Sequence, residues 1–230
     1  MSSVVATEHW AAQVNAAGWG LGVWTPDTTR ISGGFYKESG AGGPTNPPTG
    51  YLAPNRQEIL DHNIVFDYRY ELVLGTLAEI RAHALRHADA NRLPKWKFTN
   101  ARLGWHYVGA GDEGWPIKDE LKIRPNPAGQ WQIISPEFFL RADQATNLVI
   151  EAAFEKTGET ISVFSREPGE RKSNWQHGNK LAIVPDGQMR RYEVLLKNVF
   201  SKSSSLVQLR LDFQTADTNA LVRLRSVTFE

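Results

Sequence analysis

The sequence predicts an all-β protein: an antiparallel β-sandwich, preceded by a smaller β-rich part that carries one α-helix. Three observations predict it. From Lys95 onward, short runs of alternating apolar residues recur at near-regular spacing, each closed by a turn signal. The chain holds 8 Trp in 230 residues, with 19 Gly and 12 Pro, a mixture that suits strands and turns. Only one stretch has apolar residues at helical spacing.

The early elements come first. Trp10–Thr25 reads as a hairpin: Trp10, Ala12 and Val14 alternate, then Trp19, Leu21 and Val23, with a turn near Ala17–Gly18. Pro26 stops the second strand. Arg30–Pro54 is crowded with Gly and Pro and reads as a long irregular loop. In Asn63–Leu74 the residues Ile64, Phe66, Tyr68, Tyr70 and Leu72 share one face, which predicts a strand. The helix is expected over Leu77–Ala90. Thr76 and Glu79 form a capping box in front of it, and Leu77, Ile80, Ala84 and Leu85 make its apolar stripe. His83 and His87 stand four apart, a spacing that suits a metal. With no third ligand apparent, they read as surface residues on the polar face.

After Pro94 the pattern changes to eleven short strands, from Trp96–Thr99 to Ala220–Phe229, punctuated by Asn126–Pro127, Gly158, Pro168–Gly169 and Asp186–Gly187. That is the pattern of an antiparallel sandwich. The boundary is placed near Leu93, giving a first part of residues 1–93 and a second of 94–230.

Bulk properties narrow the function. Net charge is +1, so neither nucleic acid nor an acidic membrane surface is an expected partner. No apolar run reaches the roughly 18 residues of a membrane-crossing helix. There are no cysteines, which removes disulfides, thiolate catalysis and Cys-ligated zinc. The opening "MSSVVATEHW" lacks the charged start and apolar core of a signal peptide. The expected location is therefore secreted or periplasmic if a signal or upstream region is missing, and cytoplasmic otherwise.

The segments "QWQIISPEFFLRADQATNLVIEAAF", "ISVFSREPGE", "KLAIVPDGQMRRYEVLL" and "LVQLRLDFQTADTNALVRLRSVTFE" occur in an order that resembles the jelly-roll carbohydrate-binding modules of bacterial polysaccharide-active enzymes. The resemblance covers about Lys95–Glu230 and rests on structural motifs. "WAAQVNAAGWGLGVWTP", "GGPTNPPTGYLAP" and "YELVLGTLAEIRA" resemble the end of a β-sandwich domain of such enzymes. The resemblance implies a jelly roll, a polysaccharide or oligosaccharide partner, and a catalytic domain or subunit outside this chain. No cofactor is required. A structural calcium is a feature of such modules, and Asp212 in "LRLD" matches their acidic position. The early part of the module, "KWKFTNARLGW", supplies no carboxylate to complete that site. Along the two closing strands Leu209, Leu211 and Phe213 share one face, Val222, Leu224 and Ser226 follow the same alternation, and Arg210, Arg223 and Arg225 take the opposite face. Asp212 sits among these arginines by alternation, so an ion pair is an equal alternative.

Sugar rings stack their C–H faces on Trp or Tyr, while their hydroxyls bond polar side chains. Two stretches offer that chemistry. "WHYVGAGDEGWP" presents Tyr107 and Trp115 around a Gly-rich loop with Asp112 and Glu113. "REPGERKSNWQHGNK" presents Trp175 with Arg171, Asn174, Gln176 and His177. Trp105 and Trp131, on alternating strands, are assigned to the core, as are Trp19 and Trp24 in the first part. Glycoside hydrolysis would need a carboxylate pair, Asp112 with Glu113 or Glu167 with Glu170. A lyase would draw on Arg171, Lys172, His177 and Tyr192. There is no GxSxG elbow and no HExxH. The expected function is glycan binding without chemistry. The alternatives are a glycoside hydrolase or polysaccharide lyase, and a purely structural β-module of a larger enzyme.

Overall fold

The computed structural model describes residues 2–36, 49–87, 93–126, 129–169, 175, 178–199, 205–215 and 217–230. They form two compact units. One comprises Met1–Arg56 and Asp67–Ala90, the other Gln57–Phe66 and Asn91–Glu230. The segment Gln57–Phe66, expected in the first part, belongs instead to the second unit.

The first unit contains β1 (Ser2–Val5), β2 (Trp10–Val14), β3 (Trp19–Trp24), β4 (Arg30–Tyr36), β5 (Thr49–Pro54), β6 (Glu71–Thr76) and α1 (Leu77–His87). The expected hairpin is present as β2 and β3. Asn15 Oδ1 accepts from the N–H groups of Ala17 and Trp19, and Gly18 takes the positive φ of 75° that closes the turn. β6 completes a sheet of order β2-β3-β6, and β1-β4-β5 form another.

Three expectations fail here. The Gly/Pro-rich stretch contains two paired strands, in register from Ile31↔Pro54 to Tyr36↔Thr49. Gly34 is tolerated within β4 because the Tyr51 side chain occupies the space a Cβ would take. The strand expected over Asn63–Leu74 begins only at Glu71, and the chain passes from one unit to the other within the expected span, at Phe66/Asp67. Trp19, expected in the core, is 50% exposed, whereas Trp24 is buried as expected. Leu72 and Leu74, which share the Trp19 face of this sheet, are 63% and 68% exposed.

The capping box forms. Glu79 Oε2 accepts from the Thr76 N–H at 2.8 Å, and Thr76 Oγ1 accepts from the Glu79 N–H at 3.3 Å. α1 buries Ile80 and Ala84. Ile80 Cγ2 lies 2.2 Å from where a Cβ on Gly22 would be, so the missing side chain is what admits the helix onto β3. The last expected turn, to Ala90, lies outside the described residues.

The second unit contains β7 (Lys95–Lys97), β8 (His106–Val108), β9 (Ala110–Asp112), β10 (Leu121–Pro125), β11 (Gly129–Ile134), β12 (Leu140–Arg141), β13 (Asn147–Glu155), β14 (Thr160–Arg166), β15 (Asn179–Ala182), β16 (Arg190–Leu195), β17 (Ser205–Leu206), β18 (Gln208–Thr215) and β19 (Leu221–Phe229). Six strands form one sheet, β16-β13-β19-β10-β9 with β7 also on β19. Five form the other, β15-β14-β18-β11-β8. This is the expected antiparallel sandwich. Its core draws on both sheets, with Ile123, Phe154, Val222 and Leu224 from the first and Trp131, Val163, Leu211 and Phe213 from the second. Trp131 stacks on Phe213 with ring centres 4.3 Å apart, and Trp105 meets Trp96 edge-on at 5.4 Å, so both take their expected core positions.

The two closing strands lie in opposite sheets. Leu209, Leu211 and Phe213 point inward from β18 as expected. β19 departs from its expected alternation. Ser226 pairs with Glu151 but Leu224 pairs with Ala152, so one extra residue of β19 bulges at Arg225. The alternation resets there: Val222 and Leu224 face the core before it, Val227 and Phe229 after it. Ser226 therefore leaves the predicted inward set, and its hydroxyl bonds Glu151.

Candidate functional site

The Gly-rich loop at the end of β9 is built around one buried cation. Arg102, its side chain 1% exposed, donates from Nε and Nη2 to both oxygens of Asp112 at 2.6 and 2.7 Å. It also reaches Asp61 Oδ2 at 2.9 Å and the Ile59 carbonyl at 3.3 Å. Tyr107 Oη and the Gly114 N–H add bonds to Asp112 at 2.8 and 2.9 Å. Burial pushes the Asp112 carboxyl up, but these donors outweigh it and hold the group below its ordinary value. Burial, then the neighbouring Asp112 charge, pushes the Tyr107 phenol well up.

The Tyr107 hydroxyl donates to Asp112 and its ring packs against the core. Asp112 has its oxygens filled. A glycosidic acid needs a raised pKa, and the shift here runs the other way.

Trp115 is placed differently. It follows Gly114, which holds a φ of 83°, and the Trp115–Pro116 peptide is cis. The half-buried side chain packs against the core and lines an open pocket of about 250 Å³. Glu113, Pro116, Lys118, Glu120 and Lys122 complete the rim, with Lys122 Nζ 3.5 Å from Glu113 Oε2. The pocket thus offers an aromatic surface with donors and acceptors around it. It lies below the roughly 300–1,000 Å³ that holds drug-sized ligands, and so suits a single ring.

Of the second predicted stretch, Trp175 lies by the outer face of the five-stranded sheet. Strand register aligns Gln132, Asp212 and Ser162 in one row and Ile134, Arg210 and Phe164 in the next. The Arg210 guanidinium stacks 4.4 Å from the Phe164 ring and 4.8 Å from that of Trp175. It donates to both Asp212 oxygens at 2.6 and 2.9 Å, and Gln132 adds a bond at 3.4 Å. Gly178 lies against the Phe164 ring, where a Cβ would come within 2.9 Å of Cζ. Trp175 is half-buried, as a loop residue packed on a cation. Arg171, Asn174, Gln176 and His177, and with them Glu170 and Lys172, lie outside the described residues.

Asp212 therefore belongs to an ion pair with Arg210, the alternative its strand alternation allowed. Burial pushes its carboxyl above the ordinary value, and Arg210 only partly offsets this. Arg210, Phe164 and Gln132 were not singled out from the sequence. The alternation in "LRLD" put Arg210 and Asp212 on one face, but only the pairing of β11, β18 and β14 brings the other two beside them.

No protein-family model matches the sequence, and no curated protein matches it. The solved structures similar to it include mostly carbohydrate-binding modules and adhesin β-sandwich domains. The cleaved adhesin domain K1 of Lys-gingipain from Porphyromonas gingivalis aligns with 60% of this chain and 98% of its own, at 12% identity and a TM-score of 0.42. A low-affinity xylan-binding module from Roseburia intestinalis covers 60% and 95%, at 20% identity and 0.36. The family 11 carbohydrate-binding module of a Clostridium thermocellum cellulosomal cellulase covers 60% and 94%, at 8% identity and 0.38. At these identities the likeness is one of fold.

Proposed function

We propose that the second unit is a glycan-binding module that holds a polysaccharide through a sugar ring seated at Trp115. The observation that carries this is the Trp115 pocket itself: an aromatic side chain lining an open pocket together with Glu113, Glu120, Lys118 and Lys122. A pyranose lays its C–H face on the indole while its hydroxyls pair with the rim. Binding proceeds without chemistry in this reading, because Asp112, which also lines the pocket, is held ionised and bonded through both oxygens. Trp175 serves as a lesser platform whose ring is steadied by Arg210. Asp212 acts through Arg210 and not as a calcium ligand, since a guanidinium occupies both of its oxygens.

Affinity electrophoresis against a polysaccharide panel tests the reading. At least one polysaccharide should retard the wild type, and Trp115→Ala should abolish that retardation while leaving the fold intact. Retardation unchanged in Trp115→Ala, or no retardation across the panel, refutes it. Trp175→Ala should weaken binding less. A second reading, a structural β-module that docks on a larger enzyme, is favoured by one observation, the exposed row of Trp19, Leu72 and Leu74 in the first unit. Its sign would be loss of self- or partner association in a Leu72→Ser/Leu74→Ser variant that still binds glycan.

A further inference from the structure

The first unit carries a cluster that glycan binding does not use. Glu71 opens β6, directly across from Trp24 at the end of β3. α1 follows β6 and returns over this face, fixed by Ile80 on Gly22. His83 and His87 stand one turn apart on α1 and so point to the same side. Sequence spacing offered this pair no third ligand, and the fold supplies Glu71. Its Oε2 lies 2.7 Å from His83 Nε2 and 3.6 Å from His87 Nε2, and the three ligand atoms all fall within 4.8 Å of one another.

We propose that Glu71, His83 and His87 form a binding site for a zinc-class divalent cation, with Glu71 Oε2 and the two imidazole Nε2 atoms as ligands and a fourth position open to solvent. The donor set is two nitrogens and one carboxylate oxygen, which is that of an open zinc site. Bonds of about 2.0–2.1 Å in a tetrahedron place ligand atoms roughly 3.3 Å apart. The His87–Glu71 separation already lies near that value, and the His83–Glu71 hydrogen bond must open by about 0.6 Å to reach it.

The surroundings orient the ligands. The Trp24 ring lies 4.8 Å from that of His87 at an interplanar angle of 35°, and steadies it. Arg69 Nη2 holds Glu71 Oε1, which leaves Oε2 to face the histidines. His83 and then Arg69, by hydrogen bonds to Glu71, keep this carboxyl below its ordinary value and so ionised. His87 is the exposed ligand and marks the open side.

One neighbour opposes the cation. Arg86 Nη2 bonds His83 Nδ1 at 3.0 Å. That nitrogen then accepts, so His83 Nε2 carries the hydrogen and donates it to Glu71. To ligate through Nε2, the neutral ring must move its hydrogen to Nδ1, where it meets the Arg86 donor. No proton is gained or lost overall, but Arg86, which is exposed, has to swing away. Removing Arg86 should therefore strengthen binding, an effect that a merely structural hydrogen-bond network does not produce.

The test is titration calorimetry of the full tag-free chain with Zn²⁺ alone, with circular dichroism to confirm that each variant keeps its fold. One zinc per chain is expected, and His83→Gln and His87→Gln should each weaken it by at least about tenfold. Arg86→Ala should bind several-fold more tightly, and Co²⁺ in place of zinc should give the visible bands of a four-coordinate ion. Absence of zinc binding, or binding undiminished in the His83→Gln/His87→Gln double variant, overturns the site. Unchanged or weaker binding in Arg86→Ala overturns the assignment of His83 Nε2 as a ligand. Glycan retardation is a separate readout on the other unit, so failure of one reading leaves the other to stand or fall alone.

Discussion

Replacing Arg102 by Met is the sharpest probe of the second unit. The substitution keeps much of the stem and deletes the charge. It removes four interactions: two with Asp112, one with Asp61 and one with the Ile59 carbonyl. Breaking a buried ion pair on one side costs about 3–5 kcal/mol, because the surviving charge stays buried without its partner. Asp112 keeps the Tyr107 and Gly114 donors, so the lower end, about 3 kcal/mol at pH 7, is expected. The pH dependence follows with a definite sign. In the wild type the Asp112 pKa lies below 3.8, so its contribution is complete above that pH and is lost as the pH falls through the folded value. In the variant the lowering by Arg102 is lost while burial persists, so the Asp112 pKa rises above its wild-type value. Protonation then relieves the variant, and its deficit relative to wild type should shrink as the pH falls from 7 toward 4. Urea denaturation followed by Trp fluorescence at several pH values measures both quantities. Arg102→Met combined with Asp112→Leu should be less destabilised than the sum of the single variants, with a coupling of about 2–3 kcal/mol. A loss under about 1 kcal/mol, or a deficit independent of pH, would refute the reasoning.

Two further outcomes are expected. Trp131→Phe should cost only about 1–2 kcal/mol, well below the 3–5 of a Trp→Ala truncation, because the Trp131 indole N–H is buried with no hydrogen-bond partner among the described residues and its removal offsets part of the lost packing. Denaturant midpoints of Trp131→Phe and Trp131→Ala compare the two directly. Gly22→Ala should lower stability by about 1–3 kcal/mol, since its Cβ would meet Ile80 Cγ2 at 2.2 Å, and the far-UV helical signal of α1 should melt earlier.

The sandwich was legible in the sequence because its strands are half-buried and alternate, as in "LKIRP", where Leu121, Ile123 and Pro125 face in and Lys122 and Arg124 face out. The capping box at Thr76 and Glu79 was legible because it is local. Long-range pairing was not. β4 and β5 read as loop, since their Gly and Pro carry a turn signal that only the Tyr51 side chain and the β4–β5 register override. The bulge at Arg225 broke the alternation inside one strand, which no periodicity reports. Trp115 was singled out from the Gly-rich, acidic stretch around it, while the placing of Arg210 beside Phe164 needed strand register. Glu71 joins His83 and His87 only through the return of α1 over β6, twelve residues away in sequence from His83.

The segment Gln57–Phe66 belongs to one unit while the chain on both sides of it belongs to the other. The protein therefore has no point at which a single cut yields two complete folds. A gene split at Leu93 would leave the later fragment without Glu58 and Asp61, the partners of the Gly104 N–H and Arg102. A split within Gln57–Phe66 would divide the first unit, yet β3 and β6, from opposite fragments, keep a six-pair ladder between them. Two such halves made together have the means to find each other, so the chain lends itself to reassembly as a split reporter more readily than to dissection into modules.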